Sequence, residues 1–151
     1  MWKKLAITSL LLWVISISYI GYRVMYGTAE VVDKRTQITL NGEDRELVLG
    51  EMRLLLKGLK GILGGLADND FKKVQKSASG IGMVMAVDIN PSLMSKLPMS
   101  FKTMGMGVHE AFDQLASEVY QMNEKQVLKR VDKIMSSCLA CHETYKIIEE
   151  N

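Results

Sequence analysis

A chain of 151 residues, 48% apolar, with two prolines and two cysteines, has room for one packed domain and a short appendage and carries no disulfide framework. Its formal charge of +2 is set by the N-terminus: residues 1–29 hold Lys3, Lys4 and Arg23 and no acid, which leaves 16 basic against 17 acidic side chains, a net −1, in the remainder. Without a basic stripe or basic–aromatic interleaving, nucleic acid finds no support as a partner.

Trp2-Lys3-Lys4 precedes a charge-free run over residues 5–22, a stretch of 18 residues. That length reaches the lower edge for a bilayer span and exceeds a usual signal-peptide core of roughly 7–15 residues. Trp2, Tyr19, Tyr22 and Tyr26 place aromatics near the ends of the run, with Trp13 inside it. Lysines ahead of the span predict a cytoplasmic N-terminus and a translocated body. Ser16-Ile17-Ser18 and Gly27-Thr28-Ala29 are small-x-small cleavage candidates. Residues 1–29 therefore read as a membrane anchor or a signal segment, and the length favours the anchor. Either way the body is exported.

Residues 30–42 are polar without lasting period and read as a linker, with a short extended piece at Thr36–Leu40. Beyond it, residues 43–151 read as the folded domain. Val48, Met52, Leu55, Leu59, Ile62 and Leu66 recur at steps of four and three, which predicts a helix over 43–66. A second helix opens near Asp70, a residue suited to N-capping. Phe71, Val74, Ala78, Ile81 and Met85 carry its apolar face as far as Asp88-Ile89-Asn90-Pro91. A loop follows in which Ser92 or Pro98 can open helical structure. The third helix, about 99–122, turns Phe101, Met104, Val108, Phe112, Leu115, Val119 and Met122 inward. The fourth, about 124–149, buries Val127, Val131, Ile134, Cys138, Cys141, Tyr145 and Ile148. Four amphipathic helices with short connections predict an all-α fold, an antiparallel four-helix bundle behind the N-terminal helix. Glycines at 58, 61, 64 and 65, with others at 80, 82, 105 and 107, imply close backbone approach. The approaching group is a macrocycle, a neighbouring helix or a second copy of the chain in a homodimer.

Both cysteines belong to Cys138-Leu139-Ala140-Cys141-His142, the CxxCH signature of covalent c-type haem attachment. Each thiol adds across one vinyl group, and the imidazole that follows coordinates iron. On a helix, positions i, i+3 and i+4 share a face, so all three side chains address one flat cofactor. A bare CxxC also serves redox disulfides and zinc sites. The first sits after a strand in an α/β pattern, and the second needs four ligands, whereas His109 is the one other histidine here. The cysteines also fall on the apolar stripe of their helix, facing the core. Export agrees with the motif, because c-type haem is attached outside the bacterial cytoplasm.

A helical bundle with its CxxCH near the C-terminus resembles the cytochrome c′ family, the class II c-type cytochromes. The resemblance covers about residues 45–146 and rests mainly on the motif. Pro91-Ser92-Leu93-Met94 and His109-Glu110-Ala111-Phe112-Asp113 are similar to stretches of small family members. It implies that His142 is the proximal iron ligand and that the first bundle helix faces the distal side. High-spin members keep an apolar residue there; low-spin relatives supply a methionine, and Met52 stands at that place. The family's arginine is often followed four residues later by the distal residue, whereas Arg53 is followed by Lys57, a departure on that side.

The expected cofactor is therefore haem c, covalent through Cys138 and Cys141, with iron held by His142 and Met52. The plain alternative for Met52, one of eleven methionines, is packing against the macrocycle, with Leu55 and Leu56 as apolar distal residues. Met83, Met85, Met104 and Met106 read as core or surface. His109, the only other strong iron ligand, reads as the partner of a carboxylate such as Asp113, at i+4, with bis-histidine ligation of iron as the lesser reading. Arg53 reads as a propionate partner or a solvated side chain, and Tyr145 as packing on the haem edge. No catalytic triad, phosphate loop or carboxylate pair stands out, so no enzymatic activity is expected. The expected function is single-electron transfer with redox protein partners in the periplasm or inner membrane. Binding of nitric oxide or carbon monoxide at an open sixth site is the alternative, and a haem-dependent sensor or assembly subunit of a membrane complex is a third class.

Overall fold

The computed structural model describes residues 1–27, 33–86 and 90–150. These belong to two compact units, Met1–Lys34 and Arg35–Asn151. Thr28 and Ala29 of the second cleavage candidate, residues 30–32 of the expected linker, and Asp88 and Ile89 of the expected helix stop lie outside the described residues.

The first unit is one helix, α1 (Trp2–Tyr26). Its polar Thr8 turns inward on the backbone, with the hydroxyl donating to the Lys4 and Leu5 carbonyls. Gly27 ends it in the left-handed region (φ 64°), where its N–H reaches the Arg23 carbonyl. With a mean hydropathy of 1.8 and no buried residue, α1 is the one helix among the described residues long and apolar enough to cross a membrane.

The second unit runs β1 (Thr36–Leu40), α2 (Gly42–Ala67), α3 (Phe71–Ser79), α4 (Pro91–Lys96), α5 (Met99–Glu118), α6 (Glu124–Thr144) and β2 (Tyr145–Glu149). The fold is thus mostly helical, as the periodicity requires, but it is not all-α. Asparagine and aspartate side chains start four of the helices by accepting backbone N–H groups that the first turn leaves unpaired, Asn90 doing so on α4 through Ser92. Asn41 caps α2 through Asp44, Asp70 caps α3 through Lys73, and Asn123 forms a reciprocal capping box with Gln126 on α6.

Two expected helices are shorter than their apolar stripes. The second stops at Ser79 instead of near Asp88: Gly80 and Gly82 interrupt it, and a 3-10 turn at Met83–Met85 follows. There the Asp113 carboxylate accepts from the Met83 N–H at 2.9 Å, and a Cβ on Gly82 would fall 1.8 Å from its Oδ1. The fourth stops at Thr144 instead of Glu149. Tyr145-Lys146-Ile147-Ile148-Glu149 pairs in parallel with β1, Thr36 opposite Tyr145 and Leu40 opposite Glu149. The extended piece expected at Thr36–Leu40 is therefore a strand, and it belongs to the folded body, since Ile38 and Leu40 are buried.

Two apolar clusters result. The larger gathers Ile62, Val74, Phe112, Leu115, Val119 and Val127 from α2, α3, α5, the turn after α5, and α6. The smaller joins Ile38 and Leu40 to Val48, Leu93 and Leu97. α2 packs on α3, α3 on α5 and α5 on α6. The glycine-rich part of α2 serves the first contact: a Cβ at Gly61 would meet Ser77 at 2.4 Å, and one at Gly65 would meet Val74 at 2.8 Å. α2 and α6, in contrast, are not closely packed along their backbones, and a cavity opens toward both.

Candidate functional site

The capping box at Asn123 sets where α6 begins and so which of its side chains turn inward. Val127, Val131 and Ile134 are buried, and continuing the same face brings Cys138, Cys141 and His142 to the wall of a cavity of about 490 Å³. That volume lies in the range of small-molecule and cofactor sites. Both cysteines are free thiols and half-buried, and the His142 imidazole is exposed at the mouth. Immediately beyond, the Tyr145 N–H closes α6 on the Cys141 carbonyl. Arg35, just ahead of β1, donates to the His142 carbonyl at 3.3 Å. The end of α6 that carries the motif is thereby tied to the strand pair.

The opposite walls come from α2, α4 and α5. Met52 lies on the α2 wall, half-buried, and packs against both apolar clusters, so it stands at their junction. Leu55, Leu56 and Leu59 continue that wall with aliphatic carbon alone. All four side chains expected to hold the cofactor, Met52, Cys138, Cys141 and His142, thus border one cavity. Gly105 on α5 faces the same space, and a Cβ there would meet nothing within 4 Å.

Other wall residues depart from the sequence reading. Met106, read as core or surface, lines the cavity beside Met104, which lies on the inward stripe of its helix. Tyr145 does not; it stands edge-on to Phe101, ring centroids 5.4 Å apart, with its hydroxyl on Ser100. Arg53 borders the cavity with its guanidinium paired to the exposed Glu46. Lys102 enters the wall from α5 and donates to the Met94 carbonyl at 3.2 Å. His109 does not pair with Asp113, whose carboxylate is taken by Met83; its Nδ1 lies 2.9 Å from the Ile81 carbonyl. That partner is distant in sequence, and no local spacing rule points to it.

Burial pushes both thiols above the ordinary range, and the neighbouring charge of Cys138 adds to the effect on Cys141. Burial likewise raises the Glu51 carboxyl, opposed by the nearby charge of His109.

No protein-family model, curated protein or solved structure matches this chain. What the site can hold follows from its donors. No group of three or more His, Cys, Asp or Glu placed to hold a metal ion occurs among the described residues, so a bare tetrahedral zinc has no ligand set there. A porphyrin iron asks less, since the macrocycle supplies four donors and the protein one or two. An apolar cavity with two thiols and an imidazole in one wall and a thioether in another fits that demand.

Proposed function

We propose that this chain is an exported monohaem c-type cytochrome that passes single electrons between redox proteins, tethered to the inner membrane by α1. In this reading α2, α3, α5 and α6 form an antiparallel four-helix bundle of the cytochrome c′ kind. The observation that carries the proposal is the convergence of Cys138, Cys141, His142 and Met52 on one apolar cavity. When bound, haem c supplies a one-electron iron couple. The chain's residues do the rest. Cys138 and Cys141 would hold the macrocycle by thioethers, His142 would bind its iron, and Met52 would offer a thioether that favours the reduced state. Aliphatic walls exclude water, which limits reorganisation when the charge changes.

Binding of a diatomic gas is the second reading. Its support is the α2 wall around Met52, where Leu55, Leu56 and Leu59 cannot ligate and would leave an apolar pocket if the thioether stood aside. The primary test is covalent attachment. Expressed in a host with the attachment machinery, wild type should keep a haem stain through denaturing electrophoresis, and the Cys138→Ala, Cys141→Ala double variant should lose it. A wild type without the stain would overturn both readings.

A further inference from the structure

His109 is the one buried polar or charged side chain among the described residues, 6% exposed. It sits on α5 beside the stripe formed by Val108, Phe112 and Leu115, where an apolar residue would pack without cost. Its ring is held at one end. Nδ1 lies 2.9 Å from the Ile81 carbonyl, and a carbonyl only accepts, so Nδ1 carries the proton. In the neutral ring Nε2 is then the acceptor. It has no hydrogen-bond partner among the described residues, although Glu51 shares the wall, and the ring borders the cavity. An imidazole with one N–H fixed on a backbone carbonyl and the other nitrogen free is the arrangement of metal-ligating histidines: the bond selects the tautomer and makes the free nitrogen a better donor.

We infer that His109, through Nε2, is a second protein donor to the iron of the cofactor, one that takes the sixth position when the Met52 thioether does not. The inference rests on the haem reading of the site. It changes what loss of Met52 means, because removal of the thioether exchanges one ligand for another and leaves no open site.

The test uses ferric holoprotein of wild type, M52L, H109Q and M52L/H109Q, followed by absorption and electron paramagnetic resonance. Glutamine keeps a donor for the Ile81 carbonyl and preserves the fold better than an apolar residue, while offering iron only a weak ligand. M52L should lose the far-red sulfur-to-iron band yet stay low-spin, with the resonance pattern of two imidazoles. M52L/H109Q should lose the low-spin signal, become high-spin, and return to low-spin on addition of free imidazole. A low-spin wild type without the sulfur band, converted to high-spin by H109Q alone, would show the same donor in permanent use. A high-spin M52L, or M52L and M52L/H109Q with the same spectrum, overturns the inference. So does a high-spin wild type. Loss of the haem stain from wild type is a separate result, which removes the haem reading itself.

Discussion

Cys138 and Cys141 stand in a wall half withdrawn from water, and their acidity reports it. A thiolate is the charged form, so burial disfavours it, and ionisation of Cys138 further holds back Cys141. A folded value raised above the unfolded one has a defined consequence for stability. The contribution of the neutral thiols is fully present below the ordinary thiol range and is lost as pH rises through the raised folded values. In haem-free protein, alkylation by iodoacetamide across a pH series should therefore have a more alkaline midpoint than in the same chain unfolded in urea. Mass spectrometry of the two single adducts reads this directly, and coincident midpoints would mean that the thiols face solvent and not the cavity. The motif itself was legible from five letters, because its spacing is local chemistry. His109 was not, since its partner is a backbone carbonyl 28 residues away. Met106 was not either, because a helix bordering a cavity presents more of its circumference than a stripe rule allows.

The helices are legible where local chemistry decides them and illegible where a distant partner does. Asp70 caps its helix as expected, and the inward face of α2 keeps every stripe residue from Val48 to Leu66 at least half-buried. Tyr145 and Ile148 continue a helical period on paper, yet five residues are too few to separate a period of 3.6 from one of 2. The deciding partner, β1, lies more than a hundred residues earlier, and aromatic and β-branched side chains suit the ladder it offers. The strand pair is more than decoration on the helices. Ile38 is 3% exposed and packs with Leu40, Val48, Leu93 and Leu97, so Ile38→Ala leaves a cavity under the sheet and should cost about 2–5 kcal/mol. Denaturant unfolding gives that figure. The same variant probes the site, because Met52 packs on this cluster and Arg35, at the foot of β1, holds the His142 carbonyl. A loss below about 1 kcal/mol would mean that the sheet contributes little to the body, within the ordinary range for exposed positions.

At the scale of the whole molecule, the question is what α1 does for a domain that has its own core. The second unit buries two apolar clusters without any residue of Met1–Lys34, and α1 buries none of its own. A 25-residue helix with mean hydropathy 1.8 has no partner for its apolar surface within its own unit, so lipid or removal by cleavage is what keeps that surface from water. Its basic residues lie at the two ends, Lys3 and Lys4 before the charge-free run and Arg23 after it, which leaves the middle free of charge for the bilayer interior. In the proposed reading, the ammonium groups ahead of the span would set the N-terminus inside and the body outside. For the retained anchor, the protein should stay with membranes through a high-salt wash and leave them only with detergent, because burial of a full apolar helix is indifferent to ionic screening. A chain beginning at Glu30 behind a cleavable signal should then be recovered as soluble holoprotein, since both clusters and all four side chains proposed to hold haem lie beyond that point. N-terminal sequencing of the native protein separates the two cases. A first residue at Met1 keeps the tether, and one at Tyr19 or Glu30 makes α1 a signal and the mature protein freely diffusing.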